Sequence, residues 1–101
     1  MKAIELLKMH EQTMRQKFHV RKIGIFGSFA RNEENDASDI DILVEFDPGF
    51  KTFDNYMELK YFIEDVFERS VDLVTVAALK PQLKENILRE VIYAWRLQAL
   101  S

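Results

Sequence analysis

Between Gly24 and Phe46 the chain reads GIFGSFARNEENDASDIDILVEF, and this stretch is more informative than the rest of the chain together. An apolar segment stops at Gly27-Ser28. After the polar residues 29–38 the triplet Asp39-Ile40-Asp41 leads straight into the apolar run Ile42 to Phe46. Side chains on a strand alternate between its faces, so Asp39 and Asp41 are expected to share one face. Neighbouring carboxylates repel each other, and a bound divalent cation is the usual compensation. The Gly-Ser step supplies a complementary feature. Glycine lets an anion approach the backbone, and the following N–H groups and hydroxyl can donate to phosphate oxygens. Metal ligands opposite a phosphate cradle suggest nucleotide chemistry.

The rest of the chain indicates how these groups are brought together. Ile4, Leu7, Glu11, Met14 and Phe18 recur at helical spacing over residues 2 to about 18, with Glu11 the one polar member. Val20 to Phe26 is β-branched and aromatic and reads as a strand. Residues 29–38 are turn-rich, with a helical turn at Ser28 to Asn32. Asp39 to Phe46 is a second strand, closed by Asp47-Pro48-Gly49. Phe53, Tyr56, Leu59, Lys60, Ile63, Val66 and Phe67 mark a helix that Thr52 is placed to cap. Val71 to Val76 is a third strand. Pro81 opens a last helix with Leu83, Ile87, Leu88, Val91, Ile92 and Trp95 on one face.

This order predicts a small α/β domain, one unit over residues 1–101, built on a mixed sheet of three to four strands. A short connection makes the first two strands antiparallel, and the crossover helix makes the second and third parallel. Gly27-Ser28, Asp39, Asp41 and Asp72 are then expected at one edge of the sheet, although about thirty residues separate Asp41 from Asp72.

Composition narrows the partners. With 101 residues, 48% of them apolar, the chain can bury a modest core but has no room for a second lobe. A net charge of −3 argues against a dedicated nucleic-acid binder. The absence of cysteine excludes disulfides and thiolate chemistry. The opening MKAIELLKMHEQ is charged and amphipathic rather than a signal peptide, and no apolar run approaches membrane-spanning length, so a cytoplasmic location without membrane contact is expected.

The pattern apolar-Gly-Ser, about ten residues, acid-apolar-acid-apolar resembles the signature of the polymerase-beta-type nucleotidyltransferases. From the opening helix to the closing LREVIYAW, the chain is similar to the minimal nucleotidyltransferases, commonly antitoxin partners of HEPN-type ribonuclease toxins. The resemblance implies two Mg²⁺ ions held by Asp39, Asp41 and Asp72, with Asp72 helping to activate the attacking hydroxyl. It implies ATP as donor, with Gly27 and Ser28 on its β- and γ-phosphates, and AMP passed to a tyrosine of a cognate HEPN toxin in a hetero-oligomer. Arg31, about one helical turn past Ser28, is placed to reach the triphosphate.

Plainer readings exist for each residue. Acids often decorate a strand's solvent face, but Leu43 follows Asp39 and Asp41 on theirs, and acids are poor strand formers. Gly27 could simply end a strand, Ser28 cap a helix, and Asp72 face outward from an edge strand. Arg31 could be a surface arginine, and Lys84 and Arg89 belong more readily to a solvated helix face than to a phosphate site. His10 and His19 lack metal-ligand spacing. Arg15 to His19 superficially matches the Arg-His element of HEPN ribonucleases, but its spacing is one residue too short. Asn32 stands where relatives often have glycine, and asparagine tolerates a left-handed turn.

Three functions fit this inventory. The first is a nucleotidyltransferase acting on its toxin. The second is a non-catalytic antitoxin that masks its toxin by binding, which the intact acid triad disfavours. The third is a small-molecule nucleotidyltransferase, disfavoured because no second domain is present to bind an acceptor.

Overall fold

The computed structural model describes residues 2–95. The elements are α1 (Lys2–Met9), α2 (Glu11–Lys17), β1 (Val20–Phe26), β2 (Ile40–Phe46), α3 (Phe53–Phe67), β3 (Val71–Thr75), α4 (Pro81–Glu90) and β4 (Ile92–Trp95). Short 3₁₀ turns occupy Gly27–Phe29 and Val76–Ala78. The sheet runs β3-β2-β1-β4, with β1 antiparallel to both β2 and β4, and β2 parallel to β3. The expected mixed α/β fold and the pairings of its first three strands are therefore observed.

The two faces of the sheet have different fates. Ile23 and Ile25 of β1, Ile40, Ile42 and Val44 of β2, and Val71 and Leu73 of β3 point into one core, closed by Leu7, Met14, Leu59 and Ile63 from α1–α3. Burying this many branched and long apolar side chains is the main stabilising contribution, roughly 1.5–3 kcal/mol for each one fully removed from water. On the opposite face Gly24 pairs with Leu43, Phe26 with Asp41, and Asp41 with Asp72. That face carries the acids, and the core face sets their register. A one-residue slip of β2 would drive Asp41 into the core.

Local signals explain several boundaries. The Thr52 hydroxyl accepts from the Asn55 N–H at 3.2 Å and caps α3 as its sequence position suggests. Phe50 N–H closes the Asp47-Pro48-Gly49 turn on Asp47 C=O at 3.0 Å, with Gly49 at φ +88°. Asn32 takes φ +57°, the left-handed conformation that asparagine tolerates. Pro81 occupies the first turn of α4. β2 begins at Ile40 rather than Asp39 and β3 ends at Thr75 rather than Val76, differences on the scale of frayed ends.

Three expectations are corrected. The opening helix breaks at His10, whose N–H bonds the i−3 carbonyl of Leu7 at 3.1 Å. The break lets the His10 ring sit edge-on against Phe62 of α3 while α1 and α2 each bury their own apolar residues. Phe53, counted in the α3 stripe, is 75% exposed, so the buried stripe centres on Leu59 and Ile63. The last helix stops at Glu90, and Ile92–Trp95 is a strand. No residue of α4 is buried, so a longer helix would leave its apolar face uncovered. The β-branched Val91-Ile92 pair instead extends, with Val91 at φ −62° and ψ 137°, and satisfies the backbone edge of β1.

Candidate active site

The site is assembled where β1 ends and β2 and β3 begin. Gly27 follows the last residue of β1 and takes φ +73°, a conformation that L side chains rarely adopt. A Cβ built on it would lie 2.2 Å from Asp41 Oδ2, so glycine is required both by the backbone and by the carboxylate against it. The chain then tightens: Ala30 N–H and Arg31 N–H both bond Gly27 C=O, at 3.0 and 3.1 Å, and Glu33 N–H bonds Ser28 C=O at 2.8 Å. Ser28 is thereby held beside the β1 terminus, half-buried.

The acids come from the neighbouring strands. Asp41 is the second residue of β2 and pairs in register with Asp72, the second residue of β3, on the face away from the core. Asp39 lies one residue before β2 and is exposed, as is Asp72, whereas Asp41 is half-buried. Desolvation raises the Asp41 pKa above the ordinary aspartate value, and the charges of Asp72, Asp39 and Glu90 raise it further, against a lowering by Arg31. The expected convergence therefore holds as a shared field of negative charge. It does not extend to a finished metal cage: among the described residues no three acidic or imidazole side chains are placed to enclose an ion. The donors still suit Mg²⁺, a hard ion commonly held by one or two carboxylates together with substrate phosphates. Asp41 and Asp72, paired in register, supply that number, with Asp39 at the rim.

The approach to Asp39 is fixed by an arginine that sequence reasoning missed. Arg69 Nη1 donates to Ser38 C=O at 2.7 Å and to Asn35 C=O at 3.2 Å, with its guanidinium 5.1 Å from the Phe29 ring centroid. Asn35 itself closes an Asx turn, its Oδ1 accepting from Ala37 N–H at 2.8 Å. The loop that delivers Asp39 is thus tied both to itself and to Arg69, two residues before β3.

A second omission is Glu90, the last residue of α4. Its Oε2 accepts from Gly27 N–H at 3.0 Å, and its Oε1 accepts from Arg31 Nη1. Partial desolvation opposes its ionisation, but the Gly27 bond, the Arg31 bond and the Arg31 charge outweigh it and hold its pKa below the ordinary glutamate value. Arg31 is exposed but not loose. It bridges Glu33, at 2.9 Å through Nε, and Glu90, and these bonds raise its own pKa. No nearby sequence signal marks the Glu90 contact, which joins residues 63 apart.

A glycine at a strand end facing a pair of strand-borne carboxylates has the donors and the charge that a nucleotide's phosphates and a cation require, and comparison with known proteins shows the family. The model of the nucleotidyltransferase domain family matches residues 7–94. The protein adenylyltransferase MntA of Thermococcus cleftensis is 39% identical over 88 residues, covering 87% of this chain and 88% of that protein. A solved structure described as a candidate minimal nucleotidyltransferase superposes with a TM-score of 0.74 at 33% identity, over 88% of this chain and 93% of that one. The Shewanella oneidensis MNT antitoxin, solved in complex with tri-AMPylated HEPN toxin, shares the fold with a TM-score of 0.65 at 19% identity, over 93% of this chain and 73% of that one. The chain belongs to the nucleotidyltransferase domain family, among its minimal nucleotidyltransferases. None of its described helices is long and apolar enough to cross a membrane.

Proposed function

We propose that this chain is a cytoplasmic, single-domain, Mg²⁺-dependent antitoxin that transfers AMP from ATP to a tyrosine hydroxyl of a HEPN-type ribonuclease toxin. The observation that carries the reading is the Gly27–Asp41–Asp72 arrangement: a left-handed glycine pressed against one carboxylate, with a second in register beside it. The relationship to MntA points to protein adenylylation, and the antitoxin that shares this fold is bound to an AMPylated HEPN toxin.

In the reaction the acceptor oxygen forms a bond to the α-phosphorus of ATP, the bond from that phosphorus to the bridging oxygen breaks, and pyrophosphate leaves. Gly27 admits the triphosphate to the backbone, Ser28 offers N–H and hydroxyl donors, and Arg31 supplies charge at its outer end. Asp39, Asp41 and Asp72 would hold Mg²⁺, which supplies charge neutralisation at the attacking and leaving oxygens when bound. Asp72 lies at the exposed end of the pair, where a hydroxyl presented by a partner can reach it, and it takes the acceptor's proton.

Incubating the protein with Mg²⁺-ATP and its toxin, followed by intact mass measurement, tests the reading. A gain of AMP on the toxin, lost with Asp41→Asn, is the expected result. A toxin neutralised without any gain in mass would favour masking by binding.

A further inference from the structure

The proposed reaction uses Gly27 and Arg31 but leaves Glu90 without a task. Both oxygens of its carboxylate are engaged: Oε2 accepts from Gly27 N–H at 3.0 Å and Oε1 from Arg31 Nη1. A carboxylate and a phosphate place the same demand on an N–H group and a guanidinium, namely a negative oxygen at hydrogen-bonding distance. Gly27 has a single N–H to give, and the Arg31 charge that Glu90 neutralises is the charge a phosphate would need.

We infer that Glu90 is a built-in competitor of the triphosphate: it holds the phosphate donors in the nucleotide-free protein, and ATP must displace it to bind. The inference rests on the reading of Gly27 and Arg31 as phosphate donors. Three features support it. Arg31 is held from its other side by Glu33 at 2.9 Å, so the guanidinium keeps its place when Glu90 departs. Glu90 is carried on α4, none of whose residues is buried, so its release disturbs no core packing. The Glu90 charge also acts unfavourably on Asp41, which already faces Asp39 and Asp72, so its departure relieves repulsion as a polyanion arrives. The carboxylate thereby sets how tightly nucleotide is held, and it couples occupancy of the phosphate site to the position of α4.

A double-mutant cycle tests this. Calorimetric titration with ATP at saturating MgCl₂ is run on the wild type, Glu90→Gln, Arg31→Met and the double variant, with Glu90→Asp as a second probe that keeps the charge on a shorter arm. Glu90→Gln preserves shape and can still accept from Gly27 N–H, so it should fold, with a melting midpoint modestly below the wild type because the charge-assisted part of the Gly27 and Arg31 bonds is lost. Removing the competing charge should tighten ATP binding about fivefold or more, the scale of one charge-assisted hydrogen bond at a partly exposed site. Arg31→Met should weaken binding, and in that background Glu90→Gln should gain much less. Glu90→Asp should fall between wild type and Glu90→Gln. If Arg31→Met weakens binding while Glu90→Gln leaves it unchanged or weaker, the competition is overturned and the phosphate reading stands. If Arg31→Met has no effect, the phosphate role of Arg31 fails and the competition with it.

Discussion

Gly27 and Asp41 constrain each other, and the pair can be tested without any partner. Gly27→Ala would force a Cβ to within 2.2 Å of Asp41 Oδ2 and impose a side chain on φ +73°. We expect it to cost about 1–3 kcal/mol in denaturant unfolding, the scale of a strained non-glycine residue, and to abolish nucleotide transfer. Unchanged stability would mean that the turn can relax away from Asp41. Asp41→Asn should act in the opposite direction on stability. Because the folded-state pKa of Asp41 is raised, its effect favours the folded protein at pH below the ordinary aspartate value and is lost as pH rises through the raised value. At neutral pH the ionised group therefore opposes folding, and the asparagine variant should melt at higher temperature than wild type in metal-free buffer. Added Mg²⁺ should raise the wild-type midpoint more than that of the variant, and equal shifts would remove Asp41 from the metal site. Glu90 has the opposite sign: its lowered pKa contributes stability at neutral pH that is lost as pH falls through its folded-state value.

At the scale of elements, what could be read from the chain separates from what could not by sequence distance. β1, β2 and β3 announce themselves through β-branched runs with turn residues between them, and alternation along β2 fixes which face Asp41 takes. The Gly-Ser and Asp-Ile-Asp pieces of the site were legible for the same reason, since each sits at a strand end. β4 was not, because Val91 to Trp95 continues the apolar spacing of α4, and only the open edge of β1 decides between helix and strand. Glu90 and Arg69 were missed because their bonds reach residues 63 and 31 positions away. Gly24 shows how tightly β4 is fitted. A Cβ there would stand 2.7 Å from Val91 Cγ2 and 2.8 Å from Ile92 C=O. Gly24→Ala should therefore push β4 outward and destabilise the protein by about 1–3 kcal/mol, as overpacking typically does. Amide exchange should locate the loss at Ile92–Trp95; a uniform loss across the sheet would contradict a local clash.

The molecule as a whole places its chemistry at an open rim. One face of the sheet is spent on the core with α1–α3, whereas Asp39 and Asp72 stand exposed at the strand ends. Under the proposed reading this rim is a nucleotide site with one side uncovered, which a partner presenting a hydroxyl would complete. The active-antitoxin and masking readings diverge at Asp72. If Asp72 takes the acceptor's proton, Asp72→Asn should still co-purify with the toxin and, because Asp39 and Asp41 remain, still bind Mg²⁺-ATP, though more weakly for the loss of one carboxylate. Intact mass should then show no AMP on the toxin, and ribonuclease activity should persist. Since general-base steps typically contribute about 10²–10⁴-fold, the loss of transfer should be plain within a single time course. If masking alone neutralises the toxin, Asp72→Asn will protect as well as wild type does, because complex formation does not depend on that carboxylate. Toxin silenced equally by both proteins, with no mass gain from either, would therefore leave the acid pair without a catalytic task in this complex.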